Sequence, residues 1–361
     1  MSSEKKITEV QNDPAAEDSS RRKFLKGGLA AAAGVAAGTI GAPAVVTAAA
    51  PKVVKMQTSW PSSDIWMDFA REYVERVERM SGGRLKIDLL PAGAVVKAFQ
   101  VMDAVNDGVL DAAHSVPVYW YGKNKAASLF GTGPVFGGSA TTMLAWFNGG
   151  GGRELYRELT QDIMGLNVVG LLGFPMPAQP FGWFKGEVNK AAELKGFKYR
   201  TVGLAADLLQ RMGMSVAQLP GGEIVPAMER GVIDAAEFSS PAINYPMGFD
   251  EITKYAIQPG VHQPGIQCAL FFNKEAYDAL PEHYKYILDI AAKETQAWSY
   301  NWINALNAEA IRRFKEKVEI VKMDKETIIE FRKTTKKYID DLKAKHPDVK
   351  KVMDSQEAFL K

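Results

Sequence analysis

The segment Gly108-Val109-Leu110-Asp111-Ala112-Ala113 returns later in the chain as Gly231-Val232-Ile233-Asp234-Ala235-Ala236. Ala104 and Val105 precede the first copy as Ala227 and Met228 precede the second. Each copy predicts a helix closed by a glycine, which takes a left-handed turn at no steric cost, and then a short strand entering a sheet. A unit that recurs in both halves predicts two similar lobes. In open α/β sheets, ligands lie beyond the carboxyl ends of the strands. His114 and Glu237 follow the two copies at equivalent places, so both are candidates for the facing walls of a cleft.

The surrounding pattern is α/β. Lys52 to Ser59 reads as a strand ending at Trp60-Pro61, and Ile65, Phe69, Val74 and Val77 then share one helical face. Leu85, Ile87 and Leu89 alternate as a second strand before Pro91-Ala92-Gly93. Strands alternating with helices of this length predict parallel sheets with covered faces. The lone Cys268, inside the apolar run Ile266 to Phe272, cannot form an internal disulfide and reads as core filling. Trp298 and Trp302, four residues apart, read as the packing face of a long helix that begins near Pro281.

The N-terminus carries a different signal. Paired Arg21 and Arg22 precede an Ala/Gly-rich apolar run and a small-residue end at Ala48-Ala49-Ala50. This is the pattern of a twin-arginine export leader over residues 1–50, cleaved near 48–50, and it predicts a periplasmic protein. The run is too weakly apolar, and too interrupted at Gly41 and Pro43, for a comfortable membrane span. A net charge of +2 across 361 residues gives no reason to expect nucleic acid as a partner.

The mature chain resembles the DctP-type extracytoplasmic binding subunits of tripartite ATP-independent periplasmic (TRAP) transporters. The resemblance rests on Gln57-Thr58-Ser59-Trp60, the two repeat copies, Lys195-Gly196-Phe197-Lys198-Tyr199-Arg200, Glu237, and a helix-rich C-terminus. Pro177-Ala178-Gln179-Pro180-Phe181-Gly182-Trp183-Phe184 and Gly260-Val261-His262-Gln263-Pro264-Gly265 look like the branch that binds 2-oxo and 2-hydroxy monocarboxylates. The implied fold is a two-lobe α/β periplasmic binding protein, type II-like, with a long helix bracing both lobes. Lobe 1 would hold residues 51–174 plus about 264–280. Lobe 2 would hold residues 175–263 and part of the C-terminal helices, 281–361. The implied partners are a small organic carboxylate and the membrane permease subunits.

Site chemistry follows from residue type and from the resemblance together. Arg200 ends a predicted strand, where its planar fork could take a ligand carboxylate bidentately. An inter-strand salt bridge is the alternative. Gln179 and Glu237 supply hard oxygens suited to Na⁺ or Ca²⁺. The resemblance implies a cation held by Gln179, Glu237 and the carbonyl of Phe238, touching the ligand and offsetting the glutamate charge. Phe238 stands where a tryptophan is usual, so the pocket wall differs from the branch. Alternatively, Glu237 simply pairs with Arg200 in an empty cleft. Trp60, Tyr119 and Tyr121 are candidates to shape the pocket, and Asn244 and His262 are candidates to reach a ligand oxygen.

The four histidines have no metal-site spacing, and there is no GxSxG or phosphate loop, so the residues predict binding without catalysis. A ligand-presenting sensor, or a Tat-exported enzyme whose cofactor escapes motif reading, stays open beside transport. The C-terminus predicts an amphipathic helix carrying Ile328, Ile329, Phe331, Tyr338, Ile339 and Leu342. A further helix after Pro347 would either pack on its own lobes or exchange between copies in a homodimer.

Overall fold

The computed structural model describes residues 50–361 except Phe136 and Asn189; the segment expected to be an export leader lies, but for its last residue, outside the described residues. In chain order the main elements begin with strand β1 (Lys52–Thr58), helix α1 (Ile65–Met80), β2 (Leu85–Leu90), α2 (Val101–Asn106), β3 (Ala112–Ser115) and β4 (Val168–Met176). They continue with β5 (Gly182–Phe184), β6 (Lys198–Arg200), α3 (Leu204–Arg211), β7 (Ser215–Ala217), α4 (Gly221–Glu229), β8 (Ala235–Ala236) and β9 (Tyr255–Gln258). The chain closes with β10 (Ile266–Asn273), α5 (Glu282–Phe314), β11 (Glu319–Lys322), α6 (Lys325–Lys345) and α7 (Pro347–Phe359).

The strands form two sheets, ordered β2-β1-β3-β10-β4 and β11-β9-β5-β8-β6-β7. The repeat holds to the level of single hydrogen bonds. Gly108 N–H donates to Val105 and Val109 N–H to Ala104, as Gly231 N–H donates to Met228 and Val232 N–H to Ala227. Both glycines sit at positive φ, 72° and 70°, which only glycine takes without strain. β3 then enters the first sheet beside β1, and β8 enters the second beside β6, both in parallel.

The sheets are mixed, not parallel as expected. β10 runs antiparallel to β3 and β4, and β5 runs antiparallel to β8 and β9. The physical reason is the crossing of the chain. β5 enters the second sheet directly from β4 through residues 177–181, and β10 returns to the first from β9 through residues 259–265. Neither strand follows a helical crossover that would restore the parallel sense.

α5 runs past both sheets, with Pro281 as its N-cap. Trp298 and Trp302 stack on each other at 5.0 Å, and Phe69 of α1 meets both rings edge-on. At the other end Phe314 packs on Trp183 of β5 at 4.1 Å. Burying rings of this size stabilises by about 1.5–3 kcal/mol each, enough to fix one helix against two sheets. Among the described residues no helix is long and apolar enough to cross a membrane.

α6 and α7 appear as the periodicity predicts. Phe331, Tyr338, Leu342, Val349, Val352 and Met353 are buried, but Ile329 is 65% exposed and faces solvent instead.

Candidate functional site

A small cavity opens where the carboxyl ends of the parallel strands of both sheets face each other. Trp60, after β1, and Tyr119, after β3, line it from one side. Arg200, the last residue of β6, lines it from the other with Glu237 and Phe238, which follow β8. Gln263, from the second crossing segment, and Cys268, fully buried on β10, complete this part of the wall. The space open to solvent centres is about 30 Å³, enough for roughly two or three waters.

Arg200 and Glu237 form the polar centre, and each side chain is only 2% exposed. Nε of Arg200 donates to the Leu219 carbonyl at 2.8 Å. Nη1 donates to the Glu237 carbonyl at 2.8 Å and to Glu237 Oε1 at 2.9 Å. The guanidinium also lies 5.5 Å over the Phe238 ring. Arg200 and Glu237 are thus a buried ion pair in this structure. With Nε and Nη1 committed, Nη2 alone carries no hydrogen bond to the described residues, so a carboxylate would meet one nitrogen and not the whole fork.

Glu237 Oε2 accepts from Gln179 Nε2 at 2.6 Å, and the same Nε2 donates to Gln263 Oε1 at 2.9 Å. Gln179 lies buried behind Glu237 on the first crossing segment, and its Oε1 has no partner. The Phe238 carbonyl accepts from Asn244 Nδ2, while Asn244 Oδ1 accepts from Trp183 Nε1 at 3.0 Å. Ser239 follows at φ 51°, a left-handed conformation that costs a non-glycine residue about 1–3 kcal/mol and marks a strained turn at the carbonyl.

These donors fit a cation. A carboxylate, an amide oxygen buried without a partner and a main-chain carbonyl are hard ligands of the kind Na⁺ and Ca²⁺ take. Among the described residues there is no group of three or more His, Cys, Asp or Glu that would point to a transition metal instead.

Several predicted residues lie elsewhere. His114 does not line the cavity: its ring is fully buried among Phe174 at 4.6 Å, Trp60 at 6.0 Å and Trp66 at 6.2 Å. A bulge in β4, between the pairs that Gln267 and Cys268 make, puts Phe174 at φ 53° and its ring over the histidine. Burial pushes the imidazole down to about 3, so it stays neutral.

Tyr121 turns away from the cavity to Asp207 and Tyr338. Asn244 supports the Phe238 carbonyl without lining the cavity. His262 sits behind Gln179, edge-on to Phe181 at 5.2 Å, and burial also pushes it down to about 3. Trp60, Tyr119, Arg200, Glu237 and Phe238 are brought together as expected. Burial holds the Tyr119 phenol above its usual range, with Arg200 partly opposing, so it remains a neutral donor.

Gln263, which lines the cavity, and Asp64, which does not, were both unanticipated. Gln263 sits within the segment from Gly260 to Gly265, yet nothing in its type marks it. Asp64 caps α1, with Oδ1 accepting from Trp66 N–H at 2.9 Å and Oδ2 buried without a partner. An Asp before an apolar helix is the signal that could have found the cap.

Two α/β sheets joined by crossing segments, with a cavity lined by Arg200 and Glu237 between their strand ends, define a two-lobe solute-binding protein. The chain belongs to the DctP family, bacterial extracellular solute-binding protein family 7, whose model matches residues 56–346. It is 36% identical over 259 residues to a monocarboxylate 2-oxoacid-binding periplasmic protein of Nostoc, covering 72% of this chain and 70% of the relative. Among solved structures, it matches a TRAP transporter solute-binding protein from Bordetella bronchiseptica at TM-score 0.82 and 30% identity, covering 86% of this chain and 92% of that one. That protein is a mixed-occupancy dimer with calcium and picolinate bound in one site. A TRAP solute-binding protein from Pseudoalteromonas atlantica, with bound sodium and pyruvate, matches at TM-score 0.81 and 28% identity, covering 86% and 94%.

Proposed function

We propose that this chain captures a compact 2-oxo or 2-hydroxy monocarboxylate together with Na⁺ or Ca²⁺ and delivers it to the TRAP membrane permease. The observation that carries this reading is the buried Arg200–Glu237–Gln179 chain at the cavity wall, with an uncommitted Nη2 at one end and a partnerless Oε1 at the other. Nη2 would meet the ligand carboxylate. Glu237, Gln179 Oε1 and the Phe238 carbonyl would hold the cation, which supplies positive charge to balance the glutamate beside an anion. Trp60, Trp66, Tyr119 and Phe238 offer apolar and aromatic surface to a short tail and leave little volume for a long one.

The role is binding, with no chemical step. Lobe 1, residues 51–174 with about 264–280, and lobe 2, residues 175–263 with part of 281–361, would part and close about the two crossing segments. Twin-arginine export would place the protein in the periplasm. α7 packs on its own chain through Trp146 Nε1 to Ser355 Oγ at 3.0 Å and Gln356 Nε2 to the Leu129 carbonyl at 3.0 Å. The same contacts made between two copies would give a homodimer. Light scattering on the intact chain and on a chain ending before Pro347 separates these cases, and a monomeric intact protein at micromolar concentration rules out exchange.

The experiment for the central reading is calorimetric titration with pyruvate, 2-oxobutyrate and lactate, in chelated sodium-free buffer and with each ion restored. Mass spectrometry of ligand released on denaturation runs beside it. Absence of binding by every monocarboxylate under both conditions would overturn it.

A further inference from the structure

Gln179 is an amide, and an amide in a cation site works only one way round: its oxygen must be presented and its nitrogen kept out. Two oxygen acceptors hold the Gln179 nitrogen, with His262 Nε2 a third and longer contact at 3.4 Å. Glu237 Oε2 takes it at 2.6 Å and Gln263 Oε1 at 2.9 Å, and Oε1 of Gln179 is left buried and unpaired. Gln263 is in turn oriented by its own Nε2, which reaches the Val202 carbonyl at 3.4 Å, so that its oxygen faces Gln179. The two glutamines come from the two different crossing segments. Those segments lie against each other because residue 260 is glycine: a Cβ there would stand 1.9 Å from the Gln179 carbonyl oxygen.

From this geometry we infer that Gln263 is the positioning residue of the cation site, fixing the Gln179 amide so that its oxygen is the atom offered to the ion. The inference rests on the cation reading above and adds a residue that itself ligates nothing. Glu237, as a ligand, is drawn toward a bound ion and then holds the Gln179 nitrogen less firmly. The acceptor on Gln263 remains. Its location also gives the ion a reason to favour one arrangement of the crossing segments, since the amide is set only when both segments are in register.

The test uses the full mature chain and direct titration of CaCl₂ and of NaCl, each with and without 10 mM pyruvate. Gln263→Met keeps length and bulk but removes the acceptor, and ion affinity should fall about 10- to 100-fold. Gln263→Glu keeps an oxygen aimed at Gln179 and should hold ion affinity within about threefold of the unaltered protein, or tighter. Thermal melts confirm that each variant is folded before titration. If Gln263→Met binds ions as the unaltered protein does, the inference fails and the cation site stands. Equal loss in both variants also overturns it, because the acceptor is then not what matters. If the unaltered protein takes neither ion, the cation reading fails and takes the inference with it.

Discussion

Arg200 holds Glu237 twice through a single nitrogen, Nη1, which reaches the carboxylate at 2.9 Å and the carbonyl of the same residue at 2.8 Å. The second contact ties the guanidinium to the backbone at the end of β8, so Arg200 fixes the position of the glutamate as well as its charge. Removing one partner of a buried pair leaves the other charged and unpaired, which costs about 3–5 kcal/mol. Arg200→Ala should therefore lower the stability of the ligand-free protein by that order. It should also weaken carboxylate binding by about 2–5 kcal/mol, roughly thirty- to several-thousand-fold. Arg200→Lys should keep part of the stability and little of the affinity, because one ammonium cannot reach Leu219, Glu237 and a ligand together. Chemical denaturation and calorimetry measure the two effects separately, and a change in affinity below fivefold in Arg200→Ala removes Arg200 from the anchor role.

Glu237 faces a ligand of its own sign, and a cation resolves that conflict. Glu237→Gln should leave a site that no longer gains carboxylate affinity when Na⁺ or Ca²⁺ is added, while the unaltered protein gains at least tenfold, about 1.4 kcal/mol. The comparison is a pair of pyruvate titrations in chelated and ion-supplemented buffer for each protein. Equal affinity for the unaltered protein in both buffers sinks the cation.

Arg200 and Glu237 were legible because each sits at the carboxyl end of a strand that the sequence itself announces, one by its position and one by the repeat. The same repeat misled at His114. Pseudo-symmetry puts a backbone in an equivalent place, but what covers the side chain depends on Phe174, which a bulge in a distant strand turns onto the imidazole. Tyr121 and Asn244, expected at the pocket, do not line it, because their partners, Asp207 and the Phe238 carbonyl, are set by packing. Gln263 was illegible for a plainer reason. Its importance lies in which of two similar atoms meets Gln179, and no pattern of residue types encodes that. The mixed sense of the sheets was equally hidden, since hydrophobic period reports strands but not the direction from which a crossing segment delivers them.

Burial pushes the Asp64 carboxyl up to about 7, against the opposing hydrogen bond from Trp66 N–H, while an unfolded Asp titrates near 3.8. The folded state therefore binds the proton more tightly, so this residue lowers stability as pH rises. The loss begins above about 3.8, is complete by about 7, and amounts to roughly 4 kcal/mol at most. Asp64→Asn keeps a good N-cap and removes the titration. It should gain stability over the unaltered protein at pH 8 and lose that advantage near pH 4. His114 and His262 work in the other direction. Both are held neutral down to about 3, so their share of stability is full above about 6.5 and falls away with acid. Denaturant unfolding from pH 4 to 8 checks both signs, and an Asp64→Asn difference that does not change with pH contradicts the assignment.

The lobes also meet outside the cavity, and that seam should set how long a ligand stays. Leu204 N–H donates to Ser128 Oγ at 3.2 Å, joining the start of α3 in the second lobe to a helical turn of the first. One turn further along, Asp207 accepts from Lys125 Nζ at 2.7 Å and from the hydroxyls of Tyr121 and Tyr338. Burial alone would raise the Asp207 carboxyl; the hydrogen bonds from Lys125 and Tyr121 overcome it and hold the group below its usual range. Gly203 allows the approach. A Cβ at this position, where φ is 71°, would stand 2.2 Å from Val118 Cγ2 and 2.5 Å from Ser128 Oγ. None of Gly203, Asp207, Lys125 and Tyr121 lines the cavity, so Asp207→Asn alters closure without altering the walls, whereas a Cβ at Gly203 also presses on Val118, which does line it. Asp207→Asn keeps the shape and loses the charge. Because Lys125 and Asp207 are each about 30% exposed, screening reduces the effect to about 1.4 kcal/mol, or roughly tenfold in ligand off-rate. Gly203→Ala should act more strongly, since the lobes cannot meet without displacing Val118 or Ser128. Both variants should release ligand faster while changing association little, as interface changes generally act on dissociation. Stopped-flow fluorescence can follow this directly, because Trp60 and Trp66 line the cavity. An off-rate unchanged in both variants would show that the seam does not hold the lobes closed and that ligand contacts alone do.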